Sequence, residues 1–382
     1  MRDFTFYNPT RVEFGQGKEN KIGAYMAEYG VKKVLLVYGS ERIKKDGLYD
    51  KVIQSLGEQR IEYVTLGGIK SNPVISKARE GVTLAKENGI DAVLAVGGGS
   101  VLDTAKVIAA GAVYDGDVWD LCSYRKMPDS ALKLVDILTL SATGSEMNSS
   151  AVITNEETTE KFGFSSLVAF PTVSVINPEL QATVSPNYLA YSSVDILSHC
   201  MDLYFTASYI PEFTANHIEN IIKTVIRTTD TLRAQPENYE ARSEFAWAAA
   251  QALNRSTFAG VEGNRYDSHL IEHSLSALYD VPHGAGLAVV YPAWTRWHMS
   301  ANQARYKQFA RNIFGLETAE AGIEALTNWF THIGAPITLE QIQVGSEQIE
   351  EIADHIYSTM EMARMQTMYS KDILVELLHQ MK

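Results

Sequence analysis

The sequence predicts an α/β half built on a parallel sheet, followed by an all-helical half. Three observations carry this prediction. Up to about residue 180, short β-branched runs alternate with amphipathic stretches at helical spacing. From NYLAYSSVDILSHC onward, long helical segments follow with hardly a strand candidate. Pro178 and Pro186, in INPELQATVSPNY, flank the change of period. The expected division is therefore 1–184 and 185–382, and a chain of 382 residues is long enough for two cores.

In chain order, VKKVLLVYGS, IEYVTL, DAVLAVGGGS and LVDILTLSATGSE each read as a buried strand ending in small or polar residues. Between them, GLYDKVIQSLGEQ, NPVISKAREGVTLAKENG and SVLDTAKVIAAGAV carry apolar residues at helical spacing. Repetition of strand and helix implies a parallel sheet with helices on both faces. Ahead of these, FTFYNPTRVEF has edge-strand character. In the second half, EFTANHIENIIKTVIRTTDTLRA, EARSEFAWAAAQALNRSTFAG and TAEAGIEALTNWFTHIG read as helices. The Met-rich MEMARMQTM reads as adaptable core packing.

A hydrophobic fraction of 46% with 21% charged residues is that of a folded soluble chain. The net charge of −13 argues against nucleic acid or an anionic membrane as partner, because both reward a basic face. No leader-like start and no spanning apolar run is evident, so a cytoplasmic location is expected. Cys122 and Cys200 lie far apart without a CxxC, which supports neither a disulfide framework nor a sulfur-ligated zinc site.

Two small-residue turns follow strand candidates in the first half. AVGGGSVLDTAK places Gly97, Gly98 and Gly99 between a strand and a helix, where backbone can approach a pyrophosphate and free N–H groups attract it. An ordinary turn reads equally well, with Ser100 and Asp103 as a local capping box. The run is not the GxGxxG fingerprint, and it follows the third strand candidate. SATGSEMNSS, also at a strand end, could border the same crevice. After the first strand candidate come Gly39 and Ser40, with no acid at the tip to bind ribose hydroxyls. Glu41 follows directly, and Arg42, Lys44 and Lys45 supply positive charge. A 2′-phosphate suits that setting, so NADPH is expected over NADH; the competing reading is a solvated helix start.

The second half carries a candidate metal site. Asp195 and His199, four apart on a helix, face one side, and His269 and His283 come from elsewhere in the chain. One carboxylate with three neutral imidazoles suits Fe²⁺ or Zn²⁺ and leaves a position open for a substrate oxygen. Any one of these histidines alone is more simply a hydrogen-bonded core residue. Four together, in mostly apolar segments, favour a shared ion.

Taken jointly, Gly-Gly-Gly-Ser-x-x-Asp-x-x-Lys, Thr-Gly-Ser-Glu, Asp-x-x-x-His and His-x-x-x-His followed by Pro-His-Gly resemble the group III, iron-containing alcohol dehydrogenases. The likeness runs in order over most of the chain and is nearest to the NADPH-dependent butanol dehydrogenase and broad aldehyde reductase branch. The resemblance implies a Rossmann-like dinucleotide-binding domain and a helical metal-binding domain, as in dehydroquinate synthase. It implies Asp195, His199, His269 and His283 as ligands of one divalent metal. It places Gly97, Gly98, Gly99 and Ser100 on the pyrophosphate, and Gly39 and Ser40 at the adenosine ribose. Thr139, Thr143 and Ser145 would line the cofactor, and Asp103 would lie near the nicotinamide end. His273, one turn after His269, is implied near the reacting centre and is counted with Asp103 as a catalytic candidate. The chain departs from the family at Leu138-Thr139-Leu140-Ser141, which leaves the contacts of Thr139 open, and at Asn177-Pro178.

The implied chemistry is reversible hydride transfer between NADP(H) and short or medium aliphatic aldehydes or primary alcohols. His273 is either a proton relay or a structural histidine. Tyr204, Trp294 and Trp297 could make an apolar pocket, though such residues are more often core. Rival readings are a glycerol dehydrogenase or dehydroquinate synthase type of enzyme, or a binding module without catalysis. A homodimer through the N-terminal strands is expected by analogy.

Overall fold

The computed structural model describes all 382 residues and divides the chain into two compact units. One comprises Tyr7–Thr183 and Glu237–Asn254; the other comprises Met1–Phe6, Val184–Pro236 and Arg255–Lys382. The change of unit at Thr183–Val184 lies beside the expected boundary, but two segments depart from a contiguous division. The helix Tyr239–Ala252 belongs with the sheet, where Ala246 and Ala250 are buried in its core. Its pattern is helical in sequence, and periodicity does not say which core a helix joins. Met1–Phe6 belongs with the helical unit: Arg2 pairs with Glu262 at 3.3 Å and lies over the Tyr209 ring.

The sheet unit has eight strands: β1 (Arg11–Phe14), β2 (Lys33–Tyr38), β3 (Glu62–Leu66), β4 (Ala92–Gly97), β5 (Lys133–Leu138), β6 (Ser150–Asn155), β7 (Glu160–Ser165) and β8 (Val173–Ile176). Six form one parallel sheet in the order β1-β8-β5-β4-β2-β3, while β6 and β7 make a separate antiparallel hairpin. β2 explains the doubly covered architecture. Its Leu35 and Val37 enter one core with the helices Ile75–Glu87 and Gly99–Gly111, and Val34 and Leu36 enter the other with Met26, Val52 and Leu56. A continuous apolar run is what burial on both faces demands. β1 lies at the edge of the sheet, as its sequence character suggests.

This topology brings the expected cofactor turns together. β2 and β4 are neighbours, yet β2 leads on to β3 on one side and β4 to β5 on the other. At such a switch the outgoing connections diverge and leave a crevice at the strand carboxyl ends. Tyr38 pairs with Val96 and Gly97 with Leu138, so the turns after β2, β4 and β5 emerge at one edge.

In the helical unit, Pro186–Thr206 is buried along nearly its whole length, which fits its apolar surroundings. Pro186 occupies its first turn, where the missing N–H costs nothing, and Ser185 Oγ caps the N–H of Tyr188 at 3.3 Å. The helices Asp267–Tyr279 and His283–His298 pack with it. Gly284 permits the close approach of the last of these: a Cβ there would lie 2.1 Å from the Tyr191 carbonyl oxygen.

Candidate metal centre and dinucleotide turns

Asp195 and His199 project from Pro186–Thr206, His269 from Asp267–Tyr279, and His283 opens the next helix. Asp195 Oδ1 lies 3.6 Å from His199 Nε2, 3.7 Å from His283 Nε2 and 3.9 Å from His269 Nε2. The His199 and His269 rings stack with centroids 4.8 Å apart. All three rings thus bring Nε2 within 4 Å of Asp195 Oδ1, and Asp195, His199 and His269 hold their donor atoms within 4.8 Å of one another, while His283 groups with Glu272 and His273.

Hydrogen bonding at the outer nitrogens identifies the state of two of these rings. His269 Nδ1 lies 2.8 Å from Asp202 Oδ2, and His283 Nδ1 contacts Glu272 Oε2. An ionised carboxylate only accepts, so each Nδ1 carries the proton and each Nε2 turns its lone pair toward Asp195. Both carboxylates are fully buried and held in turn, Asp202 by Ser268 Oγ at 2.8 Å and Glu272 by Ser276 Oγ. His199 differs, because its Nδ1 is buried without a partner.

Asp195 Oδ1 and His269 Nε2 are buried without hydrogen-bond partners. Such atoms cost about 1–3 kcal/mol each when unsatisfied. Lone pairs converging on lone pairs cannot satisfy one another, whereas a divalent cation satisfies all of them. The residues therefore fit a tetrahedral or more open divalent metal with nitrogen and oxygen ligands. Without a cation the charges redistribute. Burial opposes protonation of His269, but Asp195 and Asp202 overcome it and raise its pKa to about 9. Burial lowers His199 to about 3.

His273 is half-buried, its ring centroid 5.8 Å from that of His283. Its donor atom lies with those of Glu272 and His283 within 4.8 Å of one another, so it borders the ligand set without joining the four. Sequence reasoning passed over Asp202 and Glu272. The signal was present: Asp202 is seven residues after Asp195 on one helical face, and Glu272 is three after His269. Tyr204 and Trp294 are core residues rather than pocket walls. Both are fully buried, with Tyr204 donating to Glu219 Oε1 at 2.5 Å and Trp294 Nε1 to Tyr369 Oη at 2.9 Å. Both cysteines are buried too, and burial pushes the Cys122 thiol up to about 12.

In the sheet unit, Gly98 precedes the helix Gly99–Gly111 in extended conformation and no side chain caps that helix. The capping box is therefore not made. Asp103 instead accepts from Ser145 Oγ at 2.7 Å and from the Val152 N–H at 3.0 Å. A Cβ on Gly99 would stand 2.5 Å from Thr143, so the two expected turns touch. Gly97 ends β4 and Gly98, Gly99 and Ser100 follow it, Thr139, Thr143 and Ser145 follow β5, and Gly39 and Ser40 follow β2, all at the edge beside the switch point. The basic group near Ser40 is largely engaged. Arg42 pairs with Asp46 at 3.1 Å and donates to the Thr183 carbonyl, and Lys44 pairs with Glu41 at 2.8 Å.

Two family descriptions match the chain: iron-containing alcohol dehydrogenase over residues 9–178, and the C-terminal domain of the Fe-containing alcohol dehydrogenase family over residues 189–381. The chain belongs to the iron-containing alcohol dehydrogenase family. It is 40% identical, over 98% of both chains, to a probable NADH-dependent butanol dehydrogenase of Bacillus subtilis. It is 32% identical, over 91% of both, to the NADPH-dependent aldehyde reductase YqhD of Escherichia coli. Among solved structures it resembles the NADH-dependent butanol dehydrogenase A of Thermotoga maritima, with a TM-score of 0.96, 43% identity and coverage of 100% of this chain and 99% of that one. The Rossmann-like and helical two-part fold and the alcohol dehydrogenase resemblance read from the sequence are thereby met. The family implies a divalent metal and a nicotinamide cofactor, and no helix is long and apolar enough to cross a membrane.

Proposed function

We propose that this protein is a metal-dependent oxidoreductase that interconverts short or medium aliphatic aldehydes and primary alcohols with a nicotinamide dinucleotide. The observation that carries the reading is the convergence of Asp195 Oδ1 with three imidazole Nε2 atoms, two of them fixed in tautomer by buried carboxylates. The bound metal, Fe²⁺ or Zn²⁺, supplies a Lewis acid that polarises the carbonyl oxygen, and the dinucleotide supplies the hydride. Asp195 offsets part of the ion's charge, while Asp202 and Glu272 orient His269 and His283 and strengthen them as donors. His273, half-buried beside His283, is the side chain proposed to hold the proton exchanged with the substrate oxygen. Gly97, Gly98, Gly99, Ser100, Thr139, Thr143 and Ser145 are proposed to cradle the dinucleotide, with Gly39 and Ser40 at its ribose. Asp103 holds Ser145 in place rather than standing free for chemistry.

For cofactor choice, the positive charge that favoured NADPH in the sequence is mostly neutralised. Arg42 and Lys44 have acidic partners, and Lys45 is left to meet a 2′-phosphate. The 40%-identical relative is named NADH-dependent and the 32%-identical one NADPH-dependent. We therefore favour NADH, against the expectation from sequence. A homodimer through the edge strand β1 belongs to the same proposal, and sedimentation equilibrium tests it.

The deciding experiment measures butanal-dependent oxidation of NADH and of NADPH by chelator-stripped protein and by protein reloaded anaerobically with Fe²⁺ or Zn²⁺. The expected result is a rate only after metal is restored, with higher kcat/KM for NADH. Equal rates in stripped and loaded protein would overturn the metal-dependent reading.

A further inference from the structure

The segment from Thr143 to Val152 is fastened from beneath by three groups of the sheet unit, the buried Lys106 and Asp136 and the half-buried Asp103. Lys106 donates to the Asn148 carbonyl at 2.9 Å, to Asn148 Oδ1 at 3.0 Å and to the Ser150 carbonyl at 2.8 Å. Asp103 grips Ser145 and Val152. The third group is Asp136, inside β5 and fully buried.

Ser174 makes two short contacts that bear on the state of Asp136. Ser174 Oγ, on β8, lies 2.5 Å from Asp136 Oδ2 and 2.6 Å from the backbone oxygen of Glu146. A hydroxyl owns one proton and a backbone oxygen only accepts. Ser174 therefore donates to Glu146, and the proton in its contact with Asp136 comes from Asp136. Both contacts are short, so one proton divided between two acceptors does not account for them. The surroundings agree. Lys106 spends its three donors on Asn148 and Ser150, and Glu146, the other ionisable group facing Asp136, is itself an acid with neither carboxyl oxygen partnered. Burial, helped by Glu146, raises the pKa of Asp136 well above the carboxylate range, while Ser174 and Lys106 oppose it.

We propose that Asp136 stands as a neutral carboxylic acid at pH 7 and, through Ser174, fixes the backbone at Glu146 and so positions the Thr143–Glu146 turn for the dinucleotide. This rests on the reading of that turn as part of the dinucleotide site. Asp136 is a positioning residue, because its proton reaches the turn only through Ser174.

Infrared difference spectra of metal-loaded wild type and Asp136→Asn at pH 7 test the protonation. Because Glu146 contributes a carboxylic-acid carbonyl band to both proteins, the expected result is a further carboxylic-acid band lost in the Asp136→Asn minus wild-type difference, and a difference without that loss overturns the proposal. NADH titrations test the positioning. Asp136→Leu and Ser174→Ala should weaken NADH binding about tenfold and raise KM for NADH with little change in kcat. Asp136→Asn should restore affinity to within about twofold, because its amide N–H replaces the acid proton toward Ser174. Ser174→Ala keeps the test available should Asp136→Leu fail to fold. NADH affinity unchanged in Ser174→Ala overturns the positioning role. Gly99→Val separates the failures. If it loses NADH while Ser174→Ala keeps it, only the role of Asp136 falls; if it also keeps NADH, the dinucleotide reading of the turn falls as well.

Discussion

The two buried polar clusters of this chain are built on opposite principles. Around Asp195, acceptor atoms face one another and the protons have been led outward, to Asp202 and Glu272. Beneath the Thr143–Val152 turn, protons are supplied from within: Lys106 feeds three acceptors and Asp136 feeds Ser174. The first cluster brings no donor of its own to those acceptors, and a cation is the occupant we propose for it. The second holds a backbone in place through Lys106, Asp103 and Ser174, although both carboxyl oxygens of Glu146 and Oδ1 of Asp136 lack partners. Buried polarity thus marks a ligand site where donors are missing and a scaffold where they are provided.

The largest effects should come from the cluster that lacks donors. His269→Ala or His283→Ala should abolish metal retention and reduce kcat/KM by at least about a thousandfold, since several kcal/mol of charge stabilisation are lost. Metal content by mass spectrometry, read beside activity, checks this. Lost activity with full metal occupancy would contradict the ligand assignment. Below that come the carboxylates that orient the ligands. Asp202→Ala and Glu272→Ala should each weaken metal binding by about 10–100-fold. Competition with a metal-sensitive dye measures it, and unchanged affinity would break the contrast drawn between the clusters.

In the sheet unit the effects should be smaller and should fall on the dinucleotide. Gly99→Ala places a Cβ 2.5 Å from Thr143, so either turn must shift. A roughly tenfold rise in the dissociation constant for NADH is expected, with metal content unchanged. Gly57→Ala provides the control: nothing lies within 4 Å of its added Cβ, and it should leave NADH binding alone. A loss of metal in Gly99→Ala would show that the two clusters are not independent.

Legibility in the sequence followed the same contrast. The four candidate ligands stood out because a carboxylate and an imidazole at helical spacing recur with two further imidazoles in mostly apolar segments, and the structure brings all three rings within 4 Å of Asp195 Oδ1. β2 and β4 were readable as continuous apolar runs and β5 as one broken only by Asp136, while β3, expected as a buried strand, is a mostly exposed edge strand. β8 was harder, being four residues between Pro171 and Pro178, too short for a period to register. The hairpin β6–β7 was missed because polar residues at both ends of each strand mask its buried Ala151, Ile153 and Phe164. The helix Tyr239–Ala252 showed its period but not its destination. Asp136 and Ser174 gave no signal at all, since their pairing depends on β5 and β8 being neighbours, which is a property of topology.

The smallest expected effect concerns stability and pH, and its sign follows from burial. Burial raises the Glu146 carboxyl to about 7, with Asp136 and Lys106 facing it, so the folded chain holds a proton that the unfolded chain releases near pH 4. Stability from this group is fully present below about pH 4 and is lost as pH rises through about 7. Glu13 runs the other way. The side-chain hydrogen bond from Lys18, helped by that from Arg11, lowers it to about 2, so its contribution is present above about pH 4.5 and fades as pH falls through about 2. The difference in melting temperature between wild type and Glu146→Gln isolates the first effect. Gln keeps the shape and cannot ionise, so the variant should gain on wild type between pH 4 and 7, by on the order of 5 °C, and hold that gain above pH 7. A difference that stays constant with pH would mean that Glu146 is already ionised in the folded state, leaving the bed beneath the turn dependent on Lys106 for charge balance.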